Sequence, residues 1–148
     1  MPDKETLRRA AEDKREGKAP STQAGEFVRE EMEHVREGKH GARSTKQAIA
    51  IGLSKARRAG VHLKAPKRGS ASAATRKKAR QDTRRSHRKS EPARTRSRAT
   101  TKALRREGHS AASPSALSRQ ARSSARRRSH AARSRAAKKA ARTRRRES

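Results

Sequence analysis

The side chains of this 148-residue chain that could do chemistry are six histidines, 14 acids and 44 lysines and arginines. There is no cysteine, so disulfides, thiolate zinc sites and thiol nucleophiles are excluded. His34, His40, His62, His87, His109 and His130 are scattered, with no HExxH pair and no carboxylate partner at ligand spacing. They read as surface residues, and neither a metal nor a cofactor is expected. The acidic run Glu30, Glu31, Glu33 and Glu37 around His34 can be drawn as a cation site. It reads instead as the solvated face of an amphipathic helix, or as an internal decoy for the basic residues further on. No phosphate-cradling glycine loop, GxSxG elbow or nucleophile–base–acid set is present, so catalysis has no candidate residues and no enzyme is expected.

The remaining chemistry is phosphate contact. Residues 61–148 hold 30 Lys+Arg against 4 Asp+Glu, net +26, whereas residues 1–60 hold 14 against 10, net +4. A segment so short of acids cannot neutralise itself and calls for a polyanion. Of its 30 bases, 22 are Arg, whose planar fork bridges phosphate oxygens and fits a narrow minor groove. The candidate contacts are Arg57, Arg58, Lys77, Lys78, Arg84, Arg85, Arg105, Arg106, Arg126, Arg127, Arg128, Lys138, Lys139, Arg144, Arg145 and Arg146. One Phe and no Trp or Tyr leave nothing to stack on single-stranded bases, which favours the backbone of duplex DNA or structured RNA. Neutralising roughly ten phosphates would make affinity fall by about 10⁵ from low to moderately high salt.

The elements that must position these groups are helical. With 28% hydrophobic residues and net charge +30, most of the chain lacks a core, and the fold class is mostly α with extensive disorder. Helices are expected at about 3–16, 22–36 and 44–59. Asp3 is a candidate cap for the first, whose apolar face is only Leu7, Ala10 and Ala11. The second carries Ala24, Phe27, Val28, Met32 and Val35 at helical spacing. The third opens on Ser44 with Gln47 three residues on, a capping-box spacing, and stops at Gly60, where Val61 can fold back. Its stripe is Ala48, Ile49, Gly52, Leu53 and Ala56, so the second and third helices suit a helical hairpin. An echo, Arg15-Glu16-Gly17-Lys18, Arg36-Glu37-Gly38-Lys39 and Arg106-Glu107-Gly108-His109, marks helix ends without making a solenoid. The organisation expected is a helical module at 1–63, a linker at 64–72 and an Arg/Ala/Ser-rich tail at 73–148. The tail is expected to be coil that turns helical at about 73–88, 97–107 and 113–146 when its charge is neutralised. No apolar run suits a membrane span or a signal peptide, so a soluble intracellular protein is expected.

The segment GKHGARSTKQAIAIGLSKARRAG (38–60), preceded by STQAGEFVREEMEHVRE, resembles small basic bacterial proteins with a domain of unknown function. The likeness continues through ATRKKAR, SRATTKALRREG and SALSRQARSSARRR. It implies a bacterial, cytoplasmic or nucleoid setting and no activity. The tail is also similar in composition to linker-histone and protamine tails, though richer in Arg than linker histones and without a winged-helix domain. The function expected is a non-enzymatic, histone-like protein on duplex DNA, with DNA ahead of RNA. The alternatives are an RNA- or ribosome-associated protein, and an adaptor that uses Phe27, Val28, Met32, Val35, Ile49 and Leu53 for self-association or a protein partner. Phosphorylation at sites such as Arg127-Arg128-Ser129 would weaken binding by lowering the charge.

Overall fold

Three glycines end the first three helices in the same way. In the computed structural model, which describes residues 1–87 and 93–147, these helices are α1 (Lys4–Arg15), α2 (Pro20–Arg36) and α3 (Thr45–Arg58). Gly17, Gly38 and Gly60 follow them with φ of 72°, 74° and 97°, a region that side chains with a Cβ avoid. The next residue then donates its N–H back into the last turn: Lys18 to Asp13 O (2.9 Å), Lys39 to His34 O (3.0 Å) and Val61 to Ala56 O (3.0 Å). These are Schellman stops. At the start of α3, Ser44 Oγ accepts from Gln47 N (3.2 Å), while Gln47 Oε1 accepts from Arg43 N (2.7 Å). The box therefore closes on the residue before the cap. Asp3 precedes α1 but its side chain makes no capping bond. Its carboxylate lies 3.4 Å from His34 Nε2 instead.

Helix α2 is the centre of the packing, lying against α1, α3 and a short 3-10 turn at Ser110–Ala112. Ala10, Ala24, Phe27, Ala56 and Val61 form one buried cluster, with Leu53 and Leu63 packed against it. Gly52 lets the α3 backbone approach α2: a Cβ there would stand 2.7 Å from Val28 Cα and 3.0 Å from Phe27 O. The expected hairpin is present, but α1 is turned differently from its expected apolar face. Thr6, Ala10 and Asp13 point inward, whereas Leu7 is 41% exposed. Asp13 is accommodated there by Lys18 Nζ at 3.1 Å.

The segment after residue 72, expected as coil in isolation, is mostly helical among the described residues. It contains α4 (Ala73–Ser86), α5 (Arg94–Arg105), α6 (Pro114–Arg126) and α7 (His130–Glu147). Ser72 caps α4, accepting from Thr75 N at 3.1 Å, and α4 packs on α3 through buried Ala79 and Asp82. The expected end of this helix at Arg88 lies outside the described residues. The helix expected at 113–146 is two helices, although no Gly or Pro falls between them. Helix α6 ends at Arg126, and Ser129 Oγ accepts from Ala132 N at 3.2 Å to start α7.

Composition changes after Leu63, but packing divides the chain elsewhere, into compact units at 1–113 and 114–148. A clasp far along the chain explains why the first unit extends so far. Gly41 N donates to Leu104 O (2.8 Å) and Ala42 N to Gly108 O (3.0 Å). Thr45 Oγ1 donates to Ala111 O (2.6 Å) and Arg36 Nε to Ala112 O (2.9 Å). The third copy of the echo is thereby seated on the loop that follows the second. Gly108 lacks the positive φ of the other three glycines. Its carbonyl serves as an acceptor in the clasp.

Candidate nucleic-acid interface

The candidate contact residues fall into three settings. Arg57 is only 6% exposed. Its Nε and Nη2 donate to the carbonyls of Leu63 (3.3 Å) and Lys64 (3.4 Å). Burial pulls its pKa down, partly offset by Asp82. This guanidinium fastens the chain after α3 and is turned away from any external phosphate. Lys78 Nζ is 2.7 Å from Asp82 Oδ1, and Arg58 Nε is 4.0 Å from the same oxygen. Asp82 is wholly buried, so these two cations neutralise an internal charge while their stems remain partly exposed. Lys77 and Arg84 are exposed on α4 and Arg85 is half-buried.

The second setting is α5, which buries no side chain. Arg98, Lys102, Arg105 and Arg106, with Ser97 and Thr101, line one open groove along this helix. The third is the unit at 114–148. On α7, Arg135, Lys138, Lys139, Arg142 and Arg146, with Thr143, line a second open groove. These residues recur at helical spacing over about 16 Å of helix. Arg144 and Arg145 are exposed on other faces of α7. Arg126 ends α6, and the exposed Arg127 and Arg128 fall in the break between α6 and α7. Arg98, Lys102, Arg135 and Arg142 are not among the expected contacts, because none of them stands in an adjacent pair or triplet of bases. The four-residue spacing 98/102/106 and the series 135/139/142/146 are the signals that would have found them.

The residues expected as a partner surface take part, to different degrees, in the packing of the first unit. Phe27, Met32 and Val35 are buried, and Val28, Ile49 and Leu53 are half-buried. Among the described residues, Met1 and Leu7 are the large apolar side chains left exposed.

A second group of charges lies within the first unit. Glu30 and Glu31, expected on a solvated face, are 3% and 0% exposed. The reason is that α2 is covered by α1 on one side and α3 on another, which leaves water the stripe Thr22, Gly25, Arg29, Glu33 and Arg36. Lys55 Nζ approaches Glu31 Oε2 (2.7 Å) and Glu30 Oε1 (3.4 Å). His40 Nε2 lies 3.0 Å from Glu31 Oε1. His34 Nε2 lies 3.4 Å from Asp3 Oδ2 and 3.9 Å from Glu30 Oε1. The backbone N–H of Asp3 donates to Glu30 Oε2 at 3.2 Å. His34 and His40 are thus half-buried members of an ionic cluster. Their separation in sequence concealed it.

Among the described residues, no helix is long and apolar enough to cross a membrane. No curated protein and no solved structure matches the chain. Residues 14–69 match a family of unknown function, DUF6496. The match takes in α2, α3, the three glycine stops and the ionic cluster apart from Asp3, and it ends before α4, so the expected likeness beyond residue 69 lies outside it.

Proposed function

We propose that this protein binds nucleic acid through phosphate-backbone contacts, with duplex DNA as the preferred form, and performs no catalysis. The observation that carries the reading is the α7 face, where five cations share one open groove in a unit whose 13 Lys+Arg face a single acid. The α5 groove adds four more cations. Backbone groups of a duplex repeat regularly, and a helix that offers a cation at every turn can follow them without reading bases. The lack of Trp and Tyr supports a duplex over a single strand.

Conditional folding belongs to the same proposal. Helix α5 buries nothing, and every described side chain of α7 is at least partly exposed, so neither gains much from tertiary packing. Arginines three and four apart repel until phosphates neutralise them. In free solution these helices melt towards coil, and a polyanion restores them. In a bacterial cell such a protein would sit on the nucleoid.

A gel-shift series with a 30-base-pair duplex and a structured RNA hairpin, over increasing salt, tests the function. Tight duplex binding with a steep negative dependence of log affinity on log salt is the expected result. Tight binding indifferent to salt would refute the electrostatic mechanism, and stronger retention of the hairpin would move the assignment to RNA. Circular dichroism with and without duplex tests the folding. A helix signal that does not rise on binding removes the conditional part.

A further inference from the structure

The ionic cluster has a defect that its side chains do not repair while the His40 ring is neutral. His40 Nδ1 is 3.0 Å from the carbonyl oxygen of Gly41. A carbonyl only accepts, so Nδ1 carries the proton and donates. In the neutral ring Nε2 is then a bare lone pair, and it stands 3.0 Å from Glu31 Oε1, another lone-pair donor, without a hydrogen-bonding alignment. Two such atoms repel unless a cation lies between or beside them. The Glu31 side chain is 1% exposed, and neither of its oxygens is met at a hydrogen-bonding angle, although Lys55 Nζ stands 2.7 Å from Oε2.

The charge balance points the same way. With both imidazoles neutral, Asp3, Glu30 and Glu31 bring three carboxylates, two of them buried, against the one ammonium of Lys55. Buried carboxylates left without neutralisation are costly. In a chain of net charge +30, this is a pocket of opposite sign enclosed by the fold.

We propose that Glu31, His34 and His40 form a binding site for one divalent transition-metal ion of zinc-like chemistry, with Asp3 and Glu30 as outer carboxylates. Donor atoms of these three residues lie within 4.8 Å of one another, and so do those of Asp3, Glu30 and His34. Two ligands held about 2.1 Å from one ion at tetrahedral or octahedral angles stand roughly 3.0–3.4 Å apart, which is the spacing of His40 Nε2 and Glu31 Oε1. Two imidazoles and a carboxylate make a ligand set that zinc takes in proteins. The Nδ1–H of His40 on a backbone carbonyl is the outer contact that orients a ligating histidine and fixes its tautomer. Asp3, whose side chain is 59% exposed, gives the ion a way in from solvent. The ion would join α2 to the loop before α3, since His34 and Glu31 lie on the helix and His40 beyond its glycine stop. This inference is independent of the nucleic-acid reading.

Zinc chloride added to the full-length protein in competition with a chromophoric chelator tests the site. One ion per chain is expected, with affinity lowered at least about 10-fold by His40→Gln and by His34→Gln, and unchanged by His130→Gln. The Glu31→Gln variant removes the charge yet supplies an amide N–H for His40 Nε2, so it keeps its circular-dichroism spectrum and melting temperature while losing zinc. Cobalt(II) in place of zinc gives visible absorption bands in the wild type that disappear in Glu31→Gln. Zinc held equally by the wild type, Glu31→Gln and the His34→Gln/His40→Gln double variant overturns the site and leaves a second ring proton to fill the gap at His40. Loss of zinc in His130→Gln as large as in His40→Gln overturns it equally.

Discussion

Residues 1–60 and residues 114–148 are both helical and both charged, but they use charge in opposite ways. In the first, cations are matched locally: Arg8 with Glu5 and Glu12, Arg29 with Glu33, and Lys55 with Glu30 and Glu31. These pairs let helices with few apolar residues lie close together. Most are exposed and contribute little to stability, and the organisation comes from the Phe27 cluster and the glycine approaches. In 114–148 the bases have one acid between them, and no side chain of α6 is buried. The lesson is that the same amino acid, arginine, serves as internal mortar where acids accompany it and as an external contact where they do not. Residues 64–113 stand between, with Asp82 turned inward at α4 and the α5 groove turned outward.

The largest effect expected from testing this contrast comes from charge removal in the outward region. Replacing Arg126, Arg127, Arg128, Arg144, Arg145 and Arg146 by Gln lowers duplex affinity at 0.1 M salt by up to about 10⁵ and reduces the salt slope by about five. The melting of the first unit, followed by calorimetry, stays in place. Phe27→Ala does the reverse. It costs about 4 kcal/mol of stability in chemical denaturation, and the salt slope of the basic unit is retained. Gly52→Ala places a Cβ against the Val28 backbone and costs about 3 kcal/mol by overpacking the α2–α3 crossing. Gly41→Ala drives a Cβ into the Glu107 carbonyl and costs about 2 kcal/mol; hydrogen exchange speeds up at Ala42 and Ala112 before it does at Phe27. Ser44→Ala removes the cap of α3 and costs about 1 kcal/mol. Equal loss of duplex binding in Phe27→Ala and in the arginine variant would erase the contrast.

The hairpin was legible because Phe27, Val28, Met32 and Val35 repeat at helical spacing and because Gly38 and Gly60 have few other uses in that context. The caps were legible at Ser44 but not at Asp3, whose carboxylate found a histidine 31 residues away. The burial of Glu30 and Glu31 was not legible for a physical reason: one amphipathic stripe describes a helix covered on one side, and α2 is covered on more than one. Periodicity locates an apolar face, but it does not say whether a charged face meets water or Lys55. The basic grooves were half legible. Arg–Arg neighbours mark charge, but a helix displays it by turns, so Arg135 and Arg142 count as much as Lys138 and Lys139. The seating of Leu104–Ala112 on Gly41 and Ala42 had only the repeated Arg-Glu-Gly as a hint.

That clasp also changes the topology of the middle of the chain. Because Gly41 and Ala42 hold Leu104 and Gly108, the residues between them form a closed loop. Closing a loop of some 60 residues costs about 3–4 kcal/mol in chain entropy, and most of that is set once both ends are held. The α5 cations therefore work on a short tether. A polyanion that engages them has to open a docked, hydrogen-bonded joint before it can draw this stretch away from the folded unit.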